Sequence, residues 1–396
     1  MIKLLRSNRS LLIISLIAMV NALGYGIVIP LLYSYSLKFG LNDFQNGLLF
    51  ALFSVCQFIS TPVIGRLSDR FGRKPLLVIS VAGTALSFFT MAFAPNTFFL
   101  FVARALDGIT AGNFPVATAV IADSIDEKDR ARGFGIISAA FGFGFLFGPA
   151  ISALTVGGSE SVPFVIAGFI TLIAVAVTAI YLPETNKHMG EVAHSGKMFD
   201  FVKMAKSAFD PNVGATLLIT LVYFLSFTMF YFGFQPFTVK VLHLTPQQIS
   251  LLFALFGGLG FITQMFLVQR VVKALSLKKA LIWGFSIIAI VFIISYFIKS
   301  LIPFLVVTVI MGIISSLVQP LIATVLSSET DAKSQGTIFG LNSSFMSVGQ
   351  IIGPVIGGGI SEANPANPFL GAGIITLLCV YLSTKILKGG KKDSAF

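Results

Sequence analysis

The chain has 396 residues, 56% of them hydrophobic and 11% charged, with a mean hydropathy of +0.92 and a formal net charge of +11. So apolar a chain lacks the polar surface to cover a core of this size in water, which excludes a soluble globular protein and makes lipid the solvent. The basic excess does not indicate nucleic acid as a partner, because it lies in short loops with no basic face and no interleaved stacking aromatics.

Crossing the hydrocarbon takes about 20 apolar residues as a helix. Twelve segments qualify, at 11–37, 44–64, 74–94, 97–122, 133–155, 162–182, 213–239, 247–269, 279–299, 301–327, 336–360 and 367–387, which predicts an all-α integral membrane protein. The first span is too long for a signal h-region and lacks a small-residue cleavage site, so it is read as a retained helix. It carries the run Asn21-Ala22-Leu23-Gly24-Tyr25-Gly26-Ile27-Val28-Ile29-Pro30.

After span 2 comes Gly65-Arg66-Leu67-Ser68-Asp69-Arg70-Phe71-Gly72-Arg73-Lys74, which sets one acid among four basic residues between two hydrophobic segments. It fits G-x-L-[SA]-D-[RK]-x-G-[RK]-[KR] throughout, and on this run the chain resembles the major facilitator superfamily, at the loop between its second and third helices. The resemblance implies a secondary transporter built from two pseudo-symmetric six-helix bundles. A small-molecule substrate would bind near the midplane, and the halves would rock for alternating access. It also implies that Asp69, with Arg70 and Arg73 and followed by Lys74, locks the cytoplasmic side. Gly65 and Gly72 would permit a close helix approach and a tight turn.

Span 4 holds Arg104 and Asp107, the basic and the acidic side chain expected inside the hydrocarbon, three residues apart on one helical face. Ionisable groups at membrane depth are functional candidates by default. A carboxyl group whose partner can move is able to take up and release a proton, as proton coupling requires; the alternative is a static pair that holds the helix in place. Arg104-Ala105-Leu106-Asp107-Gly108 also resembles the superfamily's fourth-helix motif, whose Arg is associated with proton transfer in drug-exporting antiporters. That role is thereby implied for Arg104, while Asp107 stands outside the general motif. The charged run Asp123 to Arg132 would supply partners to the loop after span 2.

Span 5 reads Gly142-Phe143-Gly144-Phe145-Leu146-Phe147-Gly148-Pro149 and is similar to the antiporter motif G-x-x-x-G-P-x-x-G-G, with Ser152-Ala153 in place of the last two glycines. Glycines at this spacing form a smooth face for a close helix contact, and proline permits a bend. The second half fits fully at Gly349, Gly353, Pro354, Gly357 and Gly358, at a constant offset of 205 from the first. This offset predicts a tandem repeat: residues 1–182 form one six-helix bundle, 183–212 a cytoplasmic linker, and 213–396 the second bundle. Within the linker, Met198 to Phe209 has the spacing of an amphipathic helix on the membrane surface. The second-half loop from Arg270 to Lys279 keeps positive charge but has no acid.

Basic residues accumulate in cytoplasmic loops. All of them except Lys38, Lys240, Lys299 and Arg104 fall on the side of the N-terminus, so both termini are expected in the cytoplasm. Cys56 and Cys379 lie within spans as small apolar residues. His188, His194 and His243 show no ligand spacing, so no metal or cofactor is expected. Asn21, Tyr25, Gln57, Asn113, Gln235, Gln264, Gln319 and Asn342 are candidate cavity residues or interhelical hydrogen-bonders. Phe141, Phe143, Phe145, Phe230, Phe232 and Phe234 either line an apolar chamber or pack helices.

The run from Asn21 resembles the first helix of tetracycline and multidrug exporters of the drug:proton antiporter-1 branch, where an acid often stands in place of Asn21. The expectation is a proton-coupled exporter of hydrophobic or cationic small molecules. It would sit among lipids in a bacterial plasma membrane, with a monomer as the superfamily's default. Asn21 leaves open a carrier for a polar metabolite, such as a sugar, amino acid or organic anion, with Arg104 binding substrate. A non-transporting receptor or scaffold would predict degenerate gating residues and a large appendage. No nucleophile–base constellation or nucleotide loop suggests an enzyme.

Overall fold

The computed structural model describes residues 8–186, 189, 201–331 and 334–386. Among them are twelve helices long and apolar enough to cross a membrane: α1 Arg9–Leu37, α2 Asp43–Phe71, α3 Arg73–Ala92, α4 Thr97–Ser124, α5 Glu127–Thr155, α6 Val162–Tyr181, α7 Gly214–Lys240, α8 Pro246–Phe266, α9 Leu277–Phe297, α10 Leu301–Ser328, α11 Gln335–Ser361 and α12 Asn367–Lys385. Helices satisfy every backbone group within the segment, which lipid demands. Where a helix begins, side chains cover the orphan N–H groups: Asn8 accepts from the Leu11 N–H and Asn96 from the Phe99 N–H.

The segment 65–74 is not a loop. Helix α2 continues through it to Phe71, and the break is confined to Gly72, whose φ of 102° is open to glycine and strained for other residues. Helix α5 likewise starts at Glu127, earlier than the apolar pattern indicates, because charged residues extend a helix beyond the hydrocarbon. The linker helix is described at Phe201–Ser207. Met198 and Phe199 of the expected amphipathic helix lie outside the described residues, as do His188 and His194.

Helix α4 is interrupted by a short 3-10 turn at Ala111–Asn113. Pro115 lacks an N–H, so the Ala111 carbonyl four residues earlier loses its helical donor. Gln57 replaces it, donating from Nε2 to Ala111 O at 3.3 Å. Gly112 allows α2 to approach the turn, since a Cβ there would lie 2.9 Å from Thr61 N.

The contacts divide the chain into two compact units, the first comprising 1–41, 52–198 and 244–254, the second 42–51, 199–243 and 255–396. In the first, α1 packs on α5, and the core includes Leu11, Ile14, Ile17, Leu77, Val81, Val116 and Val120. A Cβ on Gly148 would lie 2.7 Å from Leu23 O, so α1 and α5 meet backbone to backbone. In the second, α7 packs on α11 in the same way, with a Cβ on Gly349 2.7 Å from Leu221 O and one on Gly353 2.6 Å from Leu225 O. The two glycine motifs thus make equivalent contacts, as a repeat requires. Phe230, Phe232 and Phe234 are buried; Phe230 stacks on Phe292 at 4.4 Å and Phe234 lies 5.0 Å from Phe304, so these rings pack helices and do not line a chamber.

Candidate functional site

Arg104 and Asp107 are both buried on α4, within the first unit. The guanidinium is 1% exposed and the carboxyl residue 8%, and Arg104 Nη1 donates to Asp107 Oδ2 at 2.8 Å. Spacing of three residues on α4 brings the two groups together. The other face of the cation is covered by Phe53 of α2, whose ring centroid is 4.5 Å from Arg104 Cζ. Gly108 makes room for this helix contact, as a Cβ there would lie 3.0 Å from Phe53 Cα. Arg104 Nε is buried and has no hydrogen-bond partner among the described residues.

Around this pair α1, α2, α4 and α5 contribute polar and aromatic groups. Tyr25 contacts Phe53 at 6.0 Å and Phe145 at 5.5 Å between centroids. One turn earlier on α1, Asn21 Nδ2 donates to Asn113 Oδ1 at 3.2 Å, beside the kink that Gln57 stabilises. The Nδ2 of Asn113 is buried without a partner. Asn21, Tyr25, Gln57, Arg104 and Asn113 therefore belong to one interhelical constellation with donors to spare. The remaining candidates are dispersed over the second unit: Gln235 is buried on α7, Asn342 accepts from Thr220 Oγ1 at 2.6 Å, and Gln264 and Gln319 are exposed.

At the ends of α2 and α3 a second polar network forms. Arg73 Nη1 donates to Asp69 Oδ1 and, at 2.7 Å, to Ser68 Oγ, and Arg73 Nε donates to Asp123 Oδ2 at 3.3 Å. Asp123 is thus the residue of the run after span 4 that reaches this network. Asp129 instead pairs locally with Arg132, and Arg130 donates to Ala122 O. Arg70 lies over the Phe71 ring at 5.2 Å. Gly65 makes no close approach here, since a Cβ on it would lie 3.9 Å from Pro115 Cβ.

Glu184, just beyond α6, was not singled out by the sequence pattern. Its carboxylate accepts from the N–H groups of Arg73 at 2.9 Å and Lys74 at 3.1 Å, capping α3 from a distant part of the chain. A side chain on Gly72 would collide with it. The signal available was slight: one acid directly after the proline that ends a span. In the second unit, the basic segment 270–279 uses carbonyls in place of acids, with Lys278 Nζ donating to Thr384 O at 2.6 Å and Ile386 O at 3.0 Å. No group of three or more potential metal ligands occurs among the described residues.

The sequence matches the Major Facilitator Superfamily model over residues 14–214 and 216–394. It is 28% identical over 377 residues to multidrug resistance protein 2 of Bacillus subtilis (strain 168), covering 94% of both chains. It is 30% identical over 363 residues to the class C tetracycline resistance protein of Escherichia coli, covering 89% of both. The quinolone resistance protein NorA of Staphylococcus aureus (strain MSSA476) is 26% identical over 347 residues, covering 87% of this chain and 88% of that protein. Among solved structures, a bacterial homologue of the human lysosomal transporter Spinster superposes with a TM-score of 0.81 at 16% identity, covering 97% of this chain and 98% of the other. Twelve apolar helices, a repeated glycine–proline motif and these relatives lead to one assignment: the chain belongs to the Major Facilitator Superfamily and is an integral membrane transporter, not an enzyme.

Proposed function

We propose that this transporter is a proton-coupled exporter of hydrophobic or cationic small molecules, working by alternating access from a bacterial plasma membrane as a monomer with both termini in the cytoplasm. The observation that carries the reading is the buried Arg104–Asp107 pair at 2.8 Å, set in a face of α1, α2 and α4 that also holds Asn21, Tyr25, Gln57 and Asn113. Ionised groups at that depth are expensive and are retained where they do work. Asp107 takes up a proton when substrate or a change of conformation withdraws Arg104, and returns it when the pair reforms. The Asp69–Arg73–Asp123 network holds the cytoplasmic ends together in one conformation and releases them in the other, so it acts on populations. Relatives named for multidrug and tetracycline resistance favour export.

The test is efflux of a fluorescent lipophilic cation from proteoliposomes under an imposed pH gradient. Gradient-driven efflux should be present in the native chain and lost in Asp107→Asn with folding retained. A native chain that moves the cation equally with and without the gradient overturns proton coupling. A second reading is favoured by the unpartnered Arg104 Nε and Asn113 Nδ2: a carrier whose substrate brings hydrogen-bond acceptors, such as an organic anion. It predicts that unlabelled carboxylates, and not cations, compete for binding.

A further inference from the structure

The first turn of α2 carries charge that neither the fold nor the Arg104–Asp107 site requires. Asp43 is 1% exposed. Its Oδ1 accepts from Lys240 Nζ at 2.7 Å and its Oδ2 from Ser361 Oγ at 2.8 Å. These partners are the last residues of α7 and α11. The next N–H along, that of Phe44, donates to Glu362 Oε1 at 3.2 Å, so α2 is capped from beyond α11. Beneath these bonds the backbones touch: a Cβ on Gly358 would lie 2.6 Å from Asp43 O and 3.2 Å from Gly47 Cα. One turn further, the Phe50 and Phe232 ring centroids are 5.5 Å apart. All of these residues belong to the second compact unit, which takes in 42–51 and leaves the rest of α2 to the first.

The start of α2 is capped by Asn42, whose Oδ1 accepts from the Gln45 N–H at 2.8 Å, so the helix needs no buried charge at Asp43 to begin. The Asp43 side chain is 1% exposed and that of Lys240 43%, so separating the pair strands the carboxylate, while the ammonium keeps access to water. Such a contact is either made or fully broken and rehydrated. In the first unit, the corresponding end of α5 is held to the start of α8 by an uncharged pair, Ser152 Oγ to Ser250 Oγ at 3.2 Å. Charge is thus placed at only one of two related contacts.

We propose that Asp43, Lys240 and Ser361 form a latch that closes the chain at the end of α2 opposite the Asp69–Lys74 segment, and that its opening is a required step of transport. The proposal rests on the alternating-access reading and is independent of proton coupling.

The test uses the full chain in nanodiscs and proteoliposomes, with Cys56→Ala and Cys379→Ala as background. Ala51→Cys is the reporter: Ala51 is 4% exposed and two turns along α2 from Asp43. Asp43→Asn and Lys240→Gln should each raise its labelling rate by a water-soluble maleimide about tenfold. The double variant should add little to either, since the two side chains make one interaction. Ser361→Ala, which leaves both charges in place, should shift the rate less and in the same direction. In Phe44→Cys/Gly359→Cys, a short cleavable thiol cross-linker should stop transport and its cleavage should restore it. Unchanged labelling in Asp43→Asn and Lys240→Gln overturns the latch, as does native transport by the cross-linked chain. Labelling needs neither substrate nor a pH gradient, so absence of proton coupling in the efflux assay leaves this result standing.

Discussion

Replacing Arg104 by Met leaves the Asp107 carboxyl in a site 8% exposed to solvent with its cation gone. Breaking a buried pair from one side costs about 3–5 kcal/mol. The reverse variant, Asp107→Leu, strands the guanidinium, but Phe53 remains 4.5 Å from Cζ and offsets about 1–2 kcal/mol of that loss. A carboxyl group that has lost its cation can take up a proton and become neutral, whereas a guanidinium cannot lose one, so Asp107→Leu should be the more damaging of the two, at about 2–3 kcal/mol against about 1–2 kcal/mol for Arg104→Met. Removing both charges together takes away the desolvation cost along with the attraction, so Arg104→Met/Asp107→Leu should fall within about 1 kcal/mol of the native chain. The assay is equilibrium unfolding in mixed micelles, carried through the complete double-mutant cycle at one pH. A double variant as unstable as the worse single variant would refute the reasoning, since it would mean that each residue is held by contacts other than its partner.

Two further predictions concern groups outside that pair. Gln57→Leu should cost about 1 kcal/mol, the lower end of the penalty for a carbonyl left without a donor, because Ala111 is only partly buried, and adding Pro115→Ala should restore part of it by returning an N–H to Ala111 O; strictly additive losses in the unfolding assay would count against this account of the kink. Glu329, immediately beyond α10, has one buried oxygen without a partner and receives a bond from Thr216 Oγ1 at 2.7 Å; burial raises its pKa above the ordinary carboxylate value, and the Thr216 bond opposes this. A raised folded-state pKa means that the group's contribution to stability is fully present below the ordinary value and is lost as pH rises through the raised one. Glu329→Gln should therefore gain stability relative to the native chain as pH increases across that interval, and a difference moving the other way would show that the ionised form is the one the fold prefers.

The twelve spans were legible because lipid imposes one requirement, about 20 consecutive apolar residues in helical form. The glycine motifs were legible for a related reason: Gly148 and Gly353 face the backbones of α1 and α7, where a larger side chain does not fit, and spacing along the chain already encodes that face. Arg104 and Asp107 announced themselves by being charged at membrane depth. What composition did not reveal were partnerships across long separations. Nothing local to Gln57 indicates that it serves a carbonyl orphaned by Pro115, and nothing local to Glu184 indicates that it caps α3. Asp43 and Lys240 sat at span ends, where a charge normally means solvent; their pairing depends on which helix ends are neighbours. The phenylalanines were ambiguous for the opposite reason, since a ring packed on Phe292 and a ring lining a chamber have the same sequence signature.

The cap that Glu184 places on α3 bears on how the chain is made. Helices α2 and α3 leave the ribosome as a hairpin, and synthesis proceeds from the N-terminus. Yet the acceptor for the Arg73 and Lys74 N–H groups lies 111 and 110 residues further along. Until α6 has been threaded into the bilayer, the turn at Gly72 has no such partner and its amides face water or lipid headgroups. The α2–α3 hairpin therefore acquires these two backbone partners only after α6 has been made, so the turn at Gly72 is completed late in synthesis.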